Sequence, residues 1–408
     1  MNEFKVIRNA HVYAPDDLGI QDVLICNNKI IDIQPNLVFS YDHEEIDASE
    51  KYLIPGFIDQ HVHIIGGGGE NGFSSLIREI QMTDCIQYGV TTVIGLLGTD
   101  AHVKSIEQLV AKTKALREQG MSAYCLTGSY AIPTTTLTGS IGKDIAFIDQ
   151  IIGVKVAISD HRSSAPLKQE LARMATECRT AGLLANKPGV VHMHTGKGKD
   201  GYKKILEIVE ETDIPITQFR PTHVANQYED ALAFASKGGY IDFTADEKTP
   251  SLLKKTLEIV PLKQITLSSD ANGSFPIWDE NLNIVGMGVG KMETLYASIR
   301  SLILEEHVDI STAISIITKN VADALLLKQK GSIEKGKDAD IVIYDKDKDF
   351  TISVSNMHSD YDHTIWEGKK LHGYPVQTYL RGNLVYDNGE FTGTPGMGQY
   401  VKRAPREM

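Results

Sequence analysis

Gly56-Phe57-Ile58-Asp59-Gln60-His61-Val62-His63 is the stretch on which the reading of this chain turns. An apolar run, Tyr52-Leu53-Ile54-Pro55, leads into it, and together they read as a strand. Side chains two apart on a strand share a face. His61 and His63 can therefore present both imidazoles to one ion at the strand's end. An isolated pair of this kind is commonly two solvated loop histidines. Here single histidines, a lysine and an aspartate recur at the ends of later apolar runs, the spacing of a metal centre assembled from several strands.

Working outward, candidate strands at 56–63, 91–96, 122–127, 153–158, 190–194, 216–223, 240–243 and 264–268 alternate with helical stretches at 77–88, 107–119, 168–181, 202–212, 228–237 and 252–259. Eight strand–helix units predict an α/β fold, a (β/α)8 TIM barrel. Helices at 292–304 and 310–325 follow the last strand. Both chain ends have a different texture. Alternating apolar residues and Asn/Asp turns at 4–7, 22–26, 29–33, 339–344, 376–380 and 383–386 read as antiparallel strands. The expected organisation is 1–54 as the N-terminal part of a small β-sandwich, 55–330 as the barrel, and 331–408 as the C-terminal part of the sandwich plus a tail.

Bulk properties narrow the function. The 408 residues are 42% hydrophobic and 23% charged, which suits a large core. A net charge of −12 without a basic stripe argues against nucleic acid as a partner. Cys26, Cys85, Cys125 and Cys178 form no C-x-x-C pair, which argues against a zinc ribbon or a disulfide framework and fits a reducing cytoplasm. The first residues lack a signal-peptide core, and no apolar run approaches the roughly 18 residues of a membrane span. The expectation is a cytoplasmic protein with neither membrane nor nucleic acid as partner.

Barrel chemistry sits at the carboxyl ends of the strands. Strand one brings His61 and His63, strand four Lys155, strand five His194, strand six His223 and strand eight Asp270. Lys155 lies in the apolar run Gly153-Val154-Lys155-Val156-Ala157-Ile158, where a charged amine is costly. It is either salt-bridged to a carboxylate or has added carbon dioxide. Burial supplies the neutral amine for that addition, and the resulting carbamate offers one oxygen to each of two metals. Four histidines, the carbamate and Asp270 would hold two divalent ions about 3.5–4 Å apart. Zinc suits these donors best, with cobalt or manganese also accommodated. Water shared by two ions becomes hydroxide near neutral pH, and Asp270 would accept its proton and return it to a leaving amine. His192 shares a face with His194 but lies one layer below the rim, so His194 is the ligand. His102, His161 and His307 end no strand and read as structural or surface residues.

At this point the chain resembles the amidohydrolase superfamily and, within it, the bacterial isoaspartyl dipeptidases, which are metallopeptidases. The resembling segments are 55–63 with Gly66-Gly67-Gly68-Gly69-Glu70, 95–100, Leu126-Thr127-Gly128-Ser129-Tyr130, 152–163, Pro221-Thr222-His223-Val224 and 268–274. The most specific of them joins Gly153-Val154-Lys155 to Ser159-Asp160-His161-Arg162. The resemblance implies two zinc ions on His61, His63, carboxylated Lys155, His194, His223 and Asp270, and hydrolysis of the isopeptide bond of β-aspartyl dipeptides. It further implies that Glu70 binds the substrate α-amino group, that Tyr130 acts in catalysis on the scissile carbonyl oxygen, and that Arg162 and Ser274 bind substrate carboxylate. Plainer roles stay open: a solvated Glu70, Tyr130 as a wall residue, a local salt bridge at Arg162, and Ser274 capping a turn.

Two departures stand out. Asn226 occupies the position three after His223 where the family carries a second substrate-binding arginine; Arg220 is nearby, but its odd offset sends it to the opposite strand face. The segments 360–368, 374–383 and 395–403 resemble instead the ends of dihydropyrimidinases and hydantoinases. That likeness implies a homo-oligomer and an alternative activity, cyclic-amide hydrolysis.

Overall fold

The computed structural model describes residues 3–279, 284–358 and 362–399. Strands β1 (Phe57–Val62), β2 (Val90–Gly95), β3 (Ser122–Gly128), β4 (Ile151–Ile158), β5 (Val190–Thr195) and β6 (Phe219–Thr222) pair in parallel, each with its neighbour. Every residue of these six strands is buried, as parallel strands covered on both faces must be. β7 (Ile241–Thr244) and β8 (Ile265–Ser268) form a further parallel pair.

The ring closes through two devices. His63 N donates to Ala271 O at 2.9 Å, joining β8's exit to β1. On the other side the buried Asp242 of β7 collects donors from three other strands. These are Gln60 Nε2 at 2.6 Å from β1, Thr222 Oγ1 at 2.8 Å from β6, and Thr266 Oγ1 at 2.8 Å with Ser268 Oγ at 2.6 Å from β8. Burial raises the Asp242 carboxyl, and these four donors act against that rise.

The chain ends meet in one nine-stranded sheet. Strands Phe4–Tyr13, Asp17–Cys26, Lys29–Gln34, Glu44–Asp47 and Tyr52–Pro55 come from the N-terminal end, and Ile341–Thr351, Lys370–Leu380, Asn383–Asp387 and Glu390–Phe391 from the other. Antiparallel pairing of Ile54 with Val342 links the two sets. Ile54, Val342 and Leu380 belong to the barrel's core, whereas Val12, Ile25, Leu53, Ile343 and Tyr379 enclose a second core. The turn at Gly382 (φ +76°) lies so close that a Cβ there would come 2.2 Å from Asn27 O. The sheet thus curls until its distant strands meet. Where the sequence suggested two layers of a sandwich, the hydrogen bonding is continuous; alternation along a strand does not reveal which strands pair.

Several elements depart from expectation. Of 77–88, only Met82–Ile86 is helical, because Ile77 N and Ile80 N donate to Gly67 O and Ile64 O at 2.9 and 3.1 Å. The helix at 310–325 is divided into Ile310–Ser315 and Lys319–Ala324. Helix Ile141–Phe147 was not anticipated, nor was the hairpin Ser274–Trp278 with Ile284–Val289 that follows β8. Of the tail segments quoted above, 360–361 and 400–403 lie outside the described residues. Among the described residues, no helix is long and apolar enough to cross a membrane.

Candidate metal centre and substrate cavity

The six candidate ligands gather at the barrel mouth, five of them near or just past a strand end and Lys155 inside its strand. His61 is in β1, His63 follows it, Lys155 is central in β4 and His194 is near the end of β5. His223 and Asp270 lie just beyond β6 and β8, with left-handed φ of 57° and 55°. Such backbone is uncommon for non-glycine residues, though His and Asp adopt it more readily than most, and it recurs at functional sites.

At the centre, Asp270 Oδ1 lies 3.3 Å from both His61 Nε2 and His63 Nε2. Lys155 Nζ, fully buried, lies 3.2 Å from His61 Nε2. The rings of His61 and His223 are 4.9 Å apart, and those of His223 and His194 4.6 Å. Ligand atoms of His61, His223 and Asp270 fall within 4.8 Å of one another, close enough to share an ion. Asp270 Oδ1 is buried without a hydrogen-bond partner among the described residues, which also suits a cation bound there. His194 is engaged at both nitrogens, Nδ1 by the Tyr130 hydroxyl at 2.7 Å and Nε2 by Asp160 Oδ2 at 2.9 Å.

Partners behind the cluster orient it. His61 Nδ1 lies 2.8 Å from His192 Nε2, which leaves Nε2 facing the site. His192 therefore occupies the layer below, as its position in the strand indicated. His223 Nδ1 bonds Thr244 Oγ1 at 2.6 Å. Burial lowers the pKa of His61, His192 and His223, favouring the neutral imidazoles that ligate ions. Burial also brings Lys155 down to about 7. For Asp270 burial acts upward, but His61 and His223 outweigh it and hold the carboxyl well below its usual range. Burial keeps the Tyr130 phenol protonated by raising it well above its ordinary value.

Above this cluster opens a cavity of about 600 Å³, lined by His63, Glu70, Tyr130, Arg162, Ser274 and Asp270 among others. Part of its polar wall is internally paired. Arg162 Nη1 donates to Glu70 Oε1 at 2.7 Å, while its Nε and Nη2 reach Asp160 at 2.9 and 3.0 Å. Thr99 Oγ1 and Ser274 Oγ donate to Glu70 at 3.2 and 2.8 Å. Glu70, Arg162 and Ser274 thus form one linked group. Asp160 and Thr99 belong to it although sequence reasoning gave them no role; Asp160 stood in the most specific segment, and Thr99 in the resembling segment 95–100.

Asn226 lines the cavity, yet its Nδ2 donates to Thr195 O at 2.9 Å. Arg220 faces away and donates to Ala324 O at 2.8 Å, as its strand offset indicated. His161 is exposed and lines the cavity, and His102 lines an adjoining recess; neither joins the central cluster. His307 is placed at neither.

The chain is similar to several known proteins. The model of the amidohydrolase family matches residues 52–385. The crystal structure of a beta-aspartyl dipeptidase from Fervidobacterium islandicum AW-1, in complex with beta-Asp-Leu dipeptide, has a TM-score of 0.84 and 37% identity, covering 96% of this chain and 99% of that one. Dihydropyrimidinase from Brevibacillus agri NCHU1002 shares the fold, with a TM-score of 0.71 at 20% identity over 99% and 100% of the chains. A dihydroorotase of Listeria monocytogenes serotype 4a is 25% identical, covering 94% of this chain and 99% of its own length.

Proposed function

The chain belongs to the amidohydrolase family, and from that premise we propose that it is a metal-dependent dipeptidase that hydrolyses the isopeptide bond of β-aspartyl dipeptides. The observation that carries this reading is the linked Glu70–Arg162–Ser274 group facing the histidine–aspartate cluster across one cavity. A β-aspartyl unit carries an ammonium and a carboxylate on one carbon, and this wall offers an anion beside a cation. The 37% identity to a protein crystallised with such a dipeptide supports the same reading.

In this proposal His61, His63, Lys155 as its carbamate, His194, His223 and Asp270 would hold two divalent ions, zinc by preference with cobalt or manganese tolerated. Such ions, when bound, acidify water and polarise a carbonyl. Glu70 binds the substrate ammonium. Arg162 stays anchored on Asp160 through Nε and Nη2 and turns Nη1 to the α-carboxylate, which Ser274 also meets. Tyr130, protonated, donates to the carbonyl oxygen as charge develops there. Asp270 takes a proton from water and delivers it to the departing amine. Residues 55–330 form the hydrolytic unit between flanks at 1–54 and 331–408, in a cytoplasmic homo-oligomer.

A second reading, cyclic-amide hydrolysis, is favoured by the dihydroorotase relatives. Dihydroorotate also joins an aspartate β-carbonyl to nitrogen and keeps the α-carboxylate, but its α-nitrogen is a ring amide without charge. The two readings therefore differ in the work given to Glu70. Acetylating the amine of β-Asp-Leu tests this on metal-loaded enzyme. The dipeptidase reading expects kcat/KM to fall by about 100-fold or more; equal turnover of the two compounds would contradict it.

A further inference from the structure

Among the described residues, the cavity is lined by two basic side chains, Arg162 and Lys197, in opposite states. Arg162 is matched by two carboxylates, those of Asp160 and Glu70. Lys197 is exposed, lines the same cavity, and has no ion-pair partner among the described residues.

Its setting is built. Lys197 is the middle of Gly196-Lys197-Gly198, and both glycines lie against the end of β4. A Cβ on Gly196 would come 2.4 Å from Asp160 Oδ2, and one on Gly198 2.6 Å from Ser159 O. Gly196 N also donates to Ile158 O at 3.3 Å. From the other side, Asn226 Nδ2 holds Thr195 O at 2.9 Å, and Gln227 Nε2 holds Gly196 O and Gly198 O at 3.2 and 2.8 Å. The loop is pinned on both flanks, and its one long side chain is an ammonium beside the cavity.

We propose that Lys197 is a specificity-determining residue that binds the terminal carboxylate of the leaving residue, with Asn226 and Gln227 as its positioning residues. The inference rests on the β-aspartyl reading above. Such a dipeptide has two carboxylates. Arg162 and Glu70 are 2.7 Å apart, so the groups they bind belong to one carbon, the aspartyl α-carbon. The second carboxylate, on the leaving residue, is left for the second cation. Asn226 thus serves the site through the loop backbone, since its amide is already committed there.

The test is KM and kcat of the full-length, metal-loaded enzyme on β-Asp-Leu and on β-Asp-leucinamide, whose terminal carboxylate is masked. Wild type is expected to prefer the acid. Lys197→Met is expected to raise KM for the acid about tenfold, with kcat nearly kept, and to bring the acid-to-amide preference to about one. Lys197→Arg is expected to restore most of the preference. Asn226→Ala and Gln227→Ala are expected to weaken it through KM. If wild type cleaves both compounds and Lys197→Met keeps the preference, or slows both equally, the assignment is overturned while the dipeptidase reading stands. If wild type cleaves neither, the underlying reading falls and takes this role with it.

Discussion

Both oxygens of Glu70 are engaged by the protein itself, one by Arg162 and Thr99 and the other by Ser274. In the β-aspartyl reading, a substrate ammonium would replace the guanidinium there, and a substrate carboxylate would take the Nη1 that Glu70 releases. Glu70→Gln removes the charge and keeps the shape. It is expected to lower kcat/KM for β-Asp-Leu by about 100-fold, the scale of a desolvated charge pair; a change under threefold in the same steady-state assay would contradict the role. His192 acts one layer deeper, through His61 Nδ1. His192→Phe is expected to weaken ion binding by about 10–100-fold, as loss of a ligand's orienting partner does, read by competition with a chelator. The candidate ligands were legible because each closes an apolar run, and Lys155 because a charge inside such a run needs a reason. The Glu70–Arg162 pair spans 92 positions, and no local pattern reports it. Lys197 was missed for a related reason: a lysine between glycines in a polar loop looks like any solvated lysine.

At the level of elements, strands were easier to read than the segments between them. Each barrel strand is a buried run whose composition is dictated by two covered faces. The segment at 77–88 misled because Ile77, Ile80 and the apolar residues after them also match a helical period. The winning interaction was tertiary: the glycine loop runs alongside, and at Gly66 (φ +75°) a Cβ would stand 2.0 Å from Ile77 O. That contact accompanies the non-helical path of 77–80, beside the loop that carries Glu70 to the cavity. Closure of the barrel rests on another long-range device, Asp242 with donors from β1, β6 and β8. Asp242→Ala would remove an acceptor shared by four buried donors, leaving Thr222 Oγ1 with no other acceptor among the described residues while Gln60, Thr266 and Ser268 keep one each. It is expected to cost about 3 kcal/mol or more of stability, seen as a lower midpoint in urea unfolding. An unchanged midpoint would show that closure does not depend on this carboxylate.

Across the whole molecule, the barrel stands between the two chain ends, and the ends are tied by pairing of Tyr52–Pro55 with Ile341–Thr351. The β-rich character of both ends was readable from alternation, but their union in one curled sheet was not, because pairing depends on which edges meet in space. The same division applies to function. Histidines, lysine and aspartate along successive strands pointed to the amidohydrolase family, and the family match bears out that membership. The choice among amides rests on the cavity wall, where the 37% identical beta-aspartyl dipeptidase and the 25% identical dihydroorotase point to different compounds. Those compounds share an aspartate β-carbonyl and an α-carboxylate and differ at the α-nitrogen. The deciding measurement is kcat/KM of the zinc-loaded enzyme for β-Asp-Leu, with dihydroorotate and α-Asp-Leu alongside. The β-aspartyl reading expects a value above about 10⁴ M⁻¹s⁻¹ for β-Asp-Leu, the range of a true substrate, with both others far lower. Efficient turnover of dihydroorotate with none of β-Asp-Leu would contradict it.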